Sequence, residues 1–254
     1  MIAWLWRRWP LWLVALACGV FVAQSDAGTG TKVAVVVIAG VALLIWNFAH
    51  NLRVHTTINR HVALGQHQAI LSLVEPELAG QTADSARVPF LIYKATALMF
   101  QGHFEDARAV LNSVQPKRLR DKNGRIWRFL HASQRVHCLC FLGDLEAAET
   151  ALTDEVEQFA IIVRSPATAV IVDEARAKLA FFQGRDDDSR ERLQKLLEDG
   201  RITPASQALY HHLLAQLDLR AGADQDAETH FARARELAPD TFYGTRPAAV
   251  EQDG

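Results

Sequence analysis

Cysteine is scarce in this chain, with three among 254 residues. Cys18 lies in an apolar run. Cys138 and Cys140 are two positions apart on one expected helix and point to different faces, so no disulfide framework is available. A reducing compartment is compatible with this. Strong charge of one sign is also missing: the formal net charge is -2, which gives no global field for nucleic acid. No nucleophile elbow, P-loop or glycine-rich dinucleotide fingerprint occurs. The ten histidines do not converge. His50, His55, His61 and His67 are five and six residues apart, which scatters them around a helix, and the adjacent His211 and His212 diverge. His137 with Cys138 and Cys140 finds no second pair to complete four metal ligands. Nothing here argues for an enzyme, and no cofactor or metal is expected.

Long apolar runs, by contrast, open the chain. One extends from Trp9 to Ala23 and a second from Val33 to Ala49, so spans of about 9–24 and 32–49 are expected, joined by a polar turn. As helices they reach roughly 22 and 25 Å, slightly under a ~30 Å hydrocarbon core. Trp4, Trp6, Trp9 and Trp12 cluster at one end and Trp46 lies near the other, where interfacial indoles belong. Residues 1–50 therefore read as a transmembrane helical hairpin. Arg7 and Arg8 precede it, Arg53 and Arg60 follow it, and Lys32 beside Asp26 is the one base in the turn. That bias places both ends, and everything after residue 50, in the cytoplasm. A competing reading makes the first run a signal peptide cut after Ala15-Leu16-Ala17, which exports the soluble part and leaves the second run as tether.

Beyond the apolar runs a pattern recurs. Gly65, Gly102, Gly143, Gly184 and Gly222 are spaced by roughly 35 to 41 residues, the mark of stacked helical hairpins. Five positions after each comes a small residue (Ala107, Ala148, Ser189, Ala227), with Ile70 the exception. Nine positions after each comes a large apolar one: Val74, Leu111, Leu152, Leu193, Phe231. The last unit carries Leu209, Leu213, Leu214 and Leu217 as one helical stripe before its glycine. It then presents Ala227, Phe231 and Ala234, and ends at Pro239. Gly102 is followed by Phe104, and Gly184 by the acidic run Asp186 to Asp188. The expected fold is all-α: a solenoid of about five hairpins over residues 51–239, then a flexible tail over 240–254.

Gly222, Ala227, Phe231, Ala234 and Pro239 resemble the signature of the tetratricopeptide repeat, and the other units match it less completely. A two-span anchor ahead of such repeats is also similar in layout to bacterial HemY-type membrane proteins, and a bacterial inner membrane follows from that likeness alone. The repeat resemblance implies a concave groove lined by the first helix of each hairpin. Counted from the turn glycines, the groove positions are Thr96, Met99, Phe100, His137, Cys140, Phe141, Lys178, Phe181, Phe182, His212, Gln216 and Arg220. The groove is rich in aromatics and lacks the Lys/Asn arrangement that clamps a terminal carboxylate in some relatives. An apolar helix or extended segment of another protein suits it. The alternative is that the phenylalanines fill the inter-repeat core. Lys117, Arg118, Arg120, Lys122, Arg125 and Arg128 form one basic cluster, either a solvated loop or a contact for anionic headgroups. The expected function is a membrane-anchored adaptor that binds a protein partner through the groove. The alternatives are an assembly or quality-control factor that holds membrane-protein segments, or an accessory regulatory subunit of a membrane enzyme.

Overall fold

A computed structural model describes residues 19, 20, 22, 28–81, 84–115, 122–163 and 165–244. Among these residues every regular element is helical. The expected first span lies outside them apart from Gly19, Val20 and Val22, as do the candidate cleavage site and residues 245–254.

The second apolar run begins a single helix, α1 (Thr29–Ala63). It is the one described helix long and apolar enough to cross a membrane. The boundary expected near residue 50 falls inside it: no glycine or proline interrupts residues 41–64, and the helix continues into the fold. Its far half packs, with Ile58 fully buried and Val54 and Val62 against the same core. Then follow α2 (His67–Gly80), α3 (Asp84–Phe100), α4 (Phe104–Ser113), α5 (Lys122–Phe141) and α6 (Leu145–Ala151). A π-helical stretch, Leu152–Glu157, widens the end of α6 before α7 (Gln158–Val163). The remainder is α8 (Pro166–Phe182), α9 (Asp186–Leu197), α10 (Pro204–Arg220), α11 (Asp224–Leu237) and a 3-10 turn, Phe242–Gly244.

Local chemistry sets the ends of these helices. Ser165 and Thr168 form a reciprocal capping box ahead of Pro166, and Thr203 caps α10, each satisfying amides that the first turn leaves open. The run Asp186 to Asp188 occupies the first turn of α9, where the helix dipole favours negative charge.

The five recurrent glycines all have positive φ, from 69° at Gly65 to 79° at Gly102. Each closes the first helix of a hairpin with the same pair of bonds. At Gly143 the glycine amide reaches Cys140 O at 3.1 Å and the next amide, of Asp144, reaches Leu139 O at 3.0 Å. That double bond pattern at a left-handed residue is the Schellman stop, which glycine adopts without a Cβ penalty. The residue five places on is buried in every hairpin, Ile70 included. Ser189 takes the position by donating its hydroxyl to Ala177 O at 3.0 Å. The large residue nine places on is buried in all five as well.

Neighbouring hairpins pack side by side, and the first and last of them also meet, because α10 packs against α1. Ile58 of α1 shares one core with Tyr210, Leu213 and Leu217 of α10. The first helices of the hairpins, α1, α3, α5, α8 and α10, thus enclose a common interior. Helix α10 has buried residues around its whole circumference, as a helix covered on all sides requires.

Ala227 is 1% exposed and touches Ala215 and Phe231. Ala227→Leu is expected to lower unfolding free energy by roughly 1–3 kcal/mol through overpacking, read from the denaturant midpoint in detergent.

Candidate functional site

Of the tail expected over 240–254, Thr241 to Gly244 are described, and these four residues are not loose. Thr241 to Gly244 run into the interior, and Tyr243 is 1% exposed. Phe242 stands edge-on to Phe104 (5.5 Å) and Phe141 (6.1 Å), and Tyr243 meets Phe100 edge-on at 6.3 Å. Two of the turn glycines fit this segment closely. A Cβ on Gly102 would lie 2.7 Å from the Phe242 ring, and one on Gly65 would lie 2.6 Å from Thr241 Cγ2.

Most of the expected groove positions are accordingly covered. Thr96, Met99, Phe100, His137, Cys140, Lys178, Phe181 and His212 are buried. Phe141, Phe182 and Gln216 are half-buried, and Arg220 is exposed. Thr96, Met99, Phe100 and His137 do converge, around a small cavity of about 100 Å³ beside Tyr243. Phe141 stacks on Phe104 at 4.5 Å and meets Phe182 at 4.9 Å. Phe181 belongs to the main core, with the Arg220 guanidinium 4.1 Å above its ring. Cys140 sits in a separate cluster with Leu139, Ala148 and Leu179. Burial pushes its thiol up to about 12 and the Cys138 thiol up to about 11, so neither supplies a thiolate near neutral pH.

A chain of hydrogen bonds crosses this interior. Tyr210 donates to Glu174 Oε2 at 2.5 Å, and Lys178 Nζ donates to Glu174 Oε1 at 2.8 Å and to His137 Nδ1 at 2.9 Å. Lysine only donates, so His137 Nδ1 accepts and its Nε2–H donates to the Tyr243 hydroxyl at 2.7 Å. Burial, then the Lys178 charge, holds His137 well below its ordinary value, so it is neutral. Burial by itself raises the Glu174 carboxyl. The Lys178 charge and the hydrogen bonds from Lys178 and Tyr210 outweigh that and hold it low. The network is therefore one buried ion pair with its spare valences satisfied by His137 and Tyr210. His212 completes the seat of the segment. Its Nδ1–H donates to the Tyr243 carbonyl at 3.0 Å and its Nε2 accepts from Gln216 at 2.7 Å.

Four residues of this arrangement carry no signal in the repeat pattern: Glu174, Tyr210, Phe242 and Tyr243. All three tyrosines of the chain are buried with their hydroxyls bonded, Tyr93 to Asn59 at 3.0 Å, as a buried phenol requires.

Of the basic cluster, Lys117, Arg118 and Arg120 lie outside the described residues and Lys122 begins α5. Arg125 is exposed, and Arg128 lies over the Phe159 ring at 5.2 Å. A wider cleft of about 430 Å³ opens between α8 and α9, and four of its charged residues pair with each other: Arg192 with Asp188, and Arg201 with Asp199. No three His, Cys, Asp or Glu side chains converge as a metal set among the described residues. Comparison with protein-family models, with curated proteins and with solved structures finds no match to this chain.

Burial lowers the His212 pKa to about 4, against an ordinary value of 6.5. The neutral ring therefore contributes stability in full above about pH 6.5, and this is lost as pH falls toward 4. Unfolding free energy at pH 5 is expected to be about 2 kcal/mol lower than at pH 7 from this residue alone. In His212→Gln that part of the loss disappears. Urea titrations at the two pH values check it, and an unchanged pH dependence refutes a neutral His212.

Proposed function

We propose that this chain is a membrane-anchored adaptor of the tetratricopeptide kind, which brings another protein to the bilayer through the inner surface of its hairpins and performs no chemistry itself. Five glycine stops of one geometry, each followed by a buried residue at the crossing position, support the repeat reading. The anchor reading is supported by α1, whose apolar half is uncovered while its other half is built into the core. This continuity favours an anchor held to the fold over a leader that is cut away. Arg53 and Arg60 after the span favour the cytoplasmic face.

The observation that carries the binding reading is the seat of Phe242 and Tyr243. The inner surface already holds two adjacent aromatic side chains presented from a short turn. Stacked rings (Phe104, Phe141) receive one, and His137 and His212 hold the hydroxyl and carbonyl of the other. A partner segment with neighbouring aromatic residues finds the same contacts once the chain's own segment leaves. The chain thus competes with its partner for one surface, and apparent affinity falls by the fraction of time that surface is open. A holding factor for many apolar segments fits less well, because the seat is specific in both shape and hydrogen bonding.

Phe242 is half-buried, and its side chain takes no part in the bonds that hold Tyr243 to His137 and His212. Phe242→Ala is expected to preserve helicity and to raise recovery of a single crosslinked partner in membranes by about tenfold, equivalent to about 1.4 kcal/mol less competition. Equal recovery from the two proteins, with helicity unchanged, overturns the competition and with it the assignment of the inner surface as the binding site.

A further inference from the structure

Three arginines share one height on the fold. His55 on α1 stacks with Phe90 on α3 at 5.2 Å and meets Trp127 on α5 at 5.9 Å. Alternating antiparallel helices make α1, α3 and α5 run in one direction, so these contacts set a common level across them. Arg53 precedes His55 by two residues, Arg87 precedes Phe90 by three, and Arg125 precedes Trp127 by two. At 1.5 Å per residue all three lie about 3 to 5 Å back toward the apolar half of α1. The apolar run of α1 ends at Ala49, about 6 Å short of Arg53 along the helix. That is the depth of lipid phosphates beside a hydrocarbon edge.

The same edge is unusual in two further ways. Arg53, Arg87 and Arg125 are exposed and have no ion pair among the described residues, whereas Arg135, Arg176, Arg190 and Arg220 lie against Glu155, Glu157, Asp218 and Asp186. The two most exposed large apolar side chains outside α1 among the described residues, Ile126 (51%) and Ile161 (65%), are also here. Ile126 opens α5, and Ile161 ends α7, which packs beside it through Phe159 and Arg128.

We infer that this edge rests on the bilayer that α1 enters, with Arg53, Arg87 and Arg125 bound to phosphates of anionic lipids and Ile126 set among the headgroups. The inference rests on α1 being a membrane anchor. Because α1 has no break between its apolar half and Ile58, the edge cannot swing away from the surface on a linker. Bases at headgroup depth gain from the negative surface potential, each by about fivefold in the docking equilibrium, and an apolar side chain beside them adds burial that an acidic protein surface does not offer. The opposite edge, with the glycine turns, faces away from the lipid.

The test uses the full chain with Cys18→Ser, reconstituted in vesicles of phosphatidylcholine alone or mixed with phosphatidylglycerol. An environment-sensitive fluorophore is placed at Ile126→Cys, or at Leu219→Cys on the far edge, and the quencher is a nitroxide on the lipid headgroup. In anionic vesicles the probe at position 126 is quenched and the probe at 219 is not. Arg53→Gln with Arg87→Gln and Arg125→Gln lowers quenching at 126 at least about threefold while the chain still resists alkaline carbonate. No quenching at 126 in a carbonate-resistant chain, or equal quenching with and without the three arginines, overturns the inference and leaves the anchor standing. Release of the chain by carbonate overturns the anchor itself.

Discussion

An isolated helical hairpin leaves an apolar face in water, and everything in this fold follows from how those faces are covered. Each hairpin is stopped by a glycine at positive φ and drawn tight at a buried residue five positions on, small in every hairpin but the first. That geometry hands one face to the next hairpin, as stacked repeats do. Here the hairpins at the two ends also meet, since α10 packs on α1. Phe242 and Tyr243 occupy the space between the inner helices, so their removal would leave a cavity there. A cavity of that kind left empty destabilises a fold in proportion to its volume, so the closed form of the stack and the inserted segment depend on each other.

Insertion of a tyrosine brings a polar group into that space, and the surrounding residues are matched to it. The hydroxyl of Tyr243 ends a relay through His137, Lys178 and Glu174 to Tyr210. Removing any one partner strands a buried charge or donor, which costs far more than the bond is worth when intact. The network therefore selects one seating of the segment over others. An apolar pair alone could slide within the ring of phenylalanines; the hydroxyl and the carbonyl, held by His137 and His212, cannot.

The hairpins were legible because their signal is local. Glycine, small residue and large apolar residue fall within ten positions, and each describes a contact between helices adjacent in sequence. The length of α1 was not read: the change of hydropathy near residue 50 suggested a boundary there, although no glycine or proline interrupts residues 41–64. The interior was not legible. Whether a stack of hairpins stays open depends on small rotations accumulated between neighbours, and no spacing encodes their sum. Lys178 was read as a groove position and Glu174 was not singled out, because the residues bonded to them, His137 and Tyr210, are more than thirty positions away. Thr241 to Gly244 have no periodicity, and their place is fixed only by the shape the other helices leave.

The unbroken helix α1 links the two halves of the molecule in a further sense. A domain on a loose linker samples all orientations to a surface, and its contacts with lipid are diluted by that freedom. A domain whose core includes the end of a spanning helix keeps one edge toward the bilayer and the other away. On the proposed anchor, the edge with Arg53, Arg87 and Arg125, which have no ion pair among the described residues, is then the near one, and the glycine turns mark the far one. Thr241 lies against Gly65 at the end of α1, where α10 also packs on that helix. The segment that carries Phe242 and Tyr243 and the helix proposed as the anchor therefore share one contact region, and the proposed binding and the proposed attitude at the bilayer would be coupled through it.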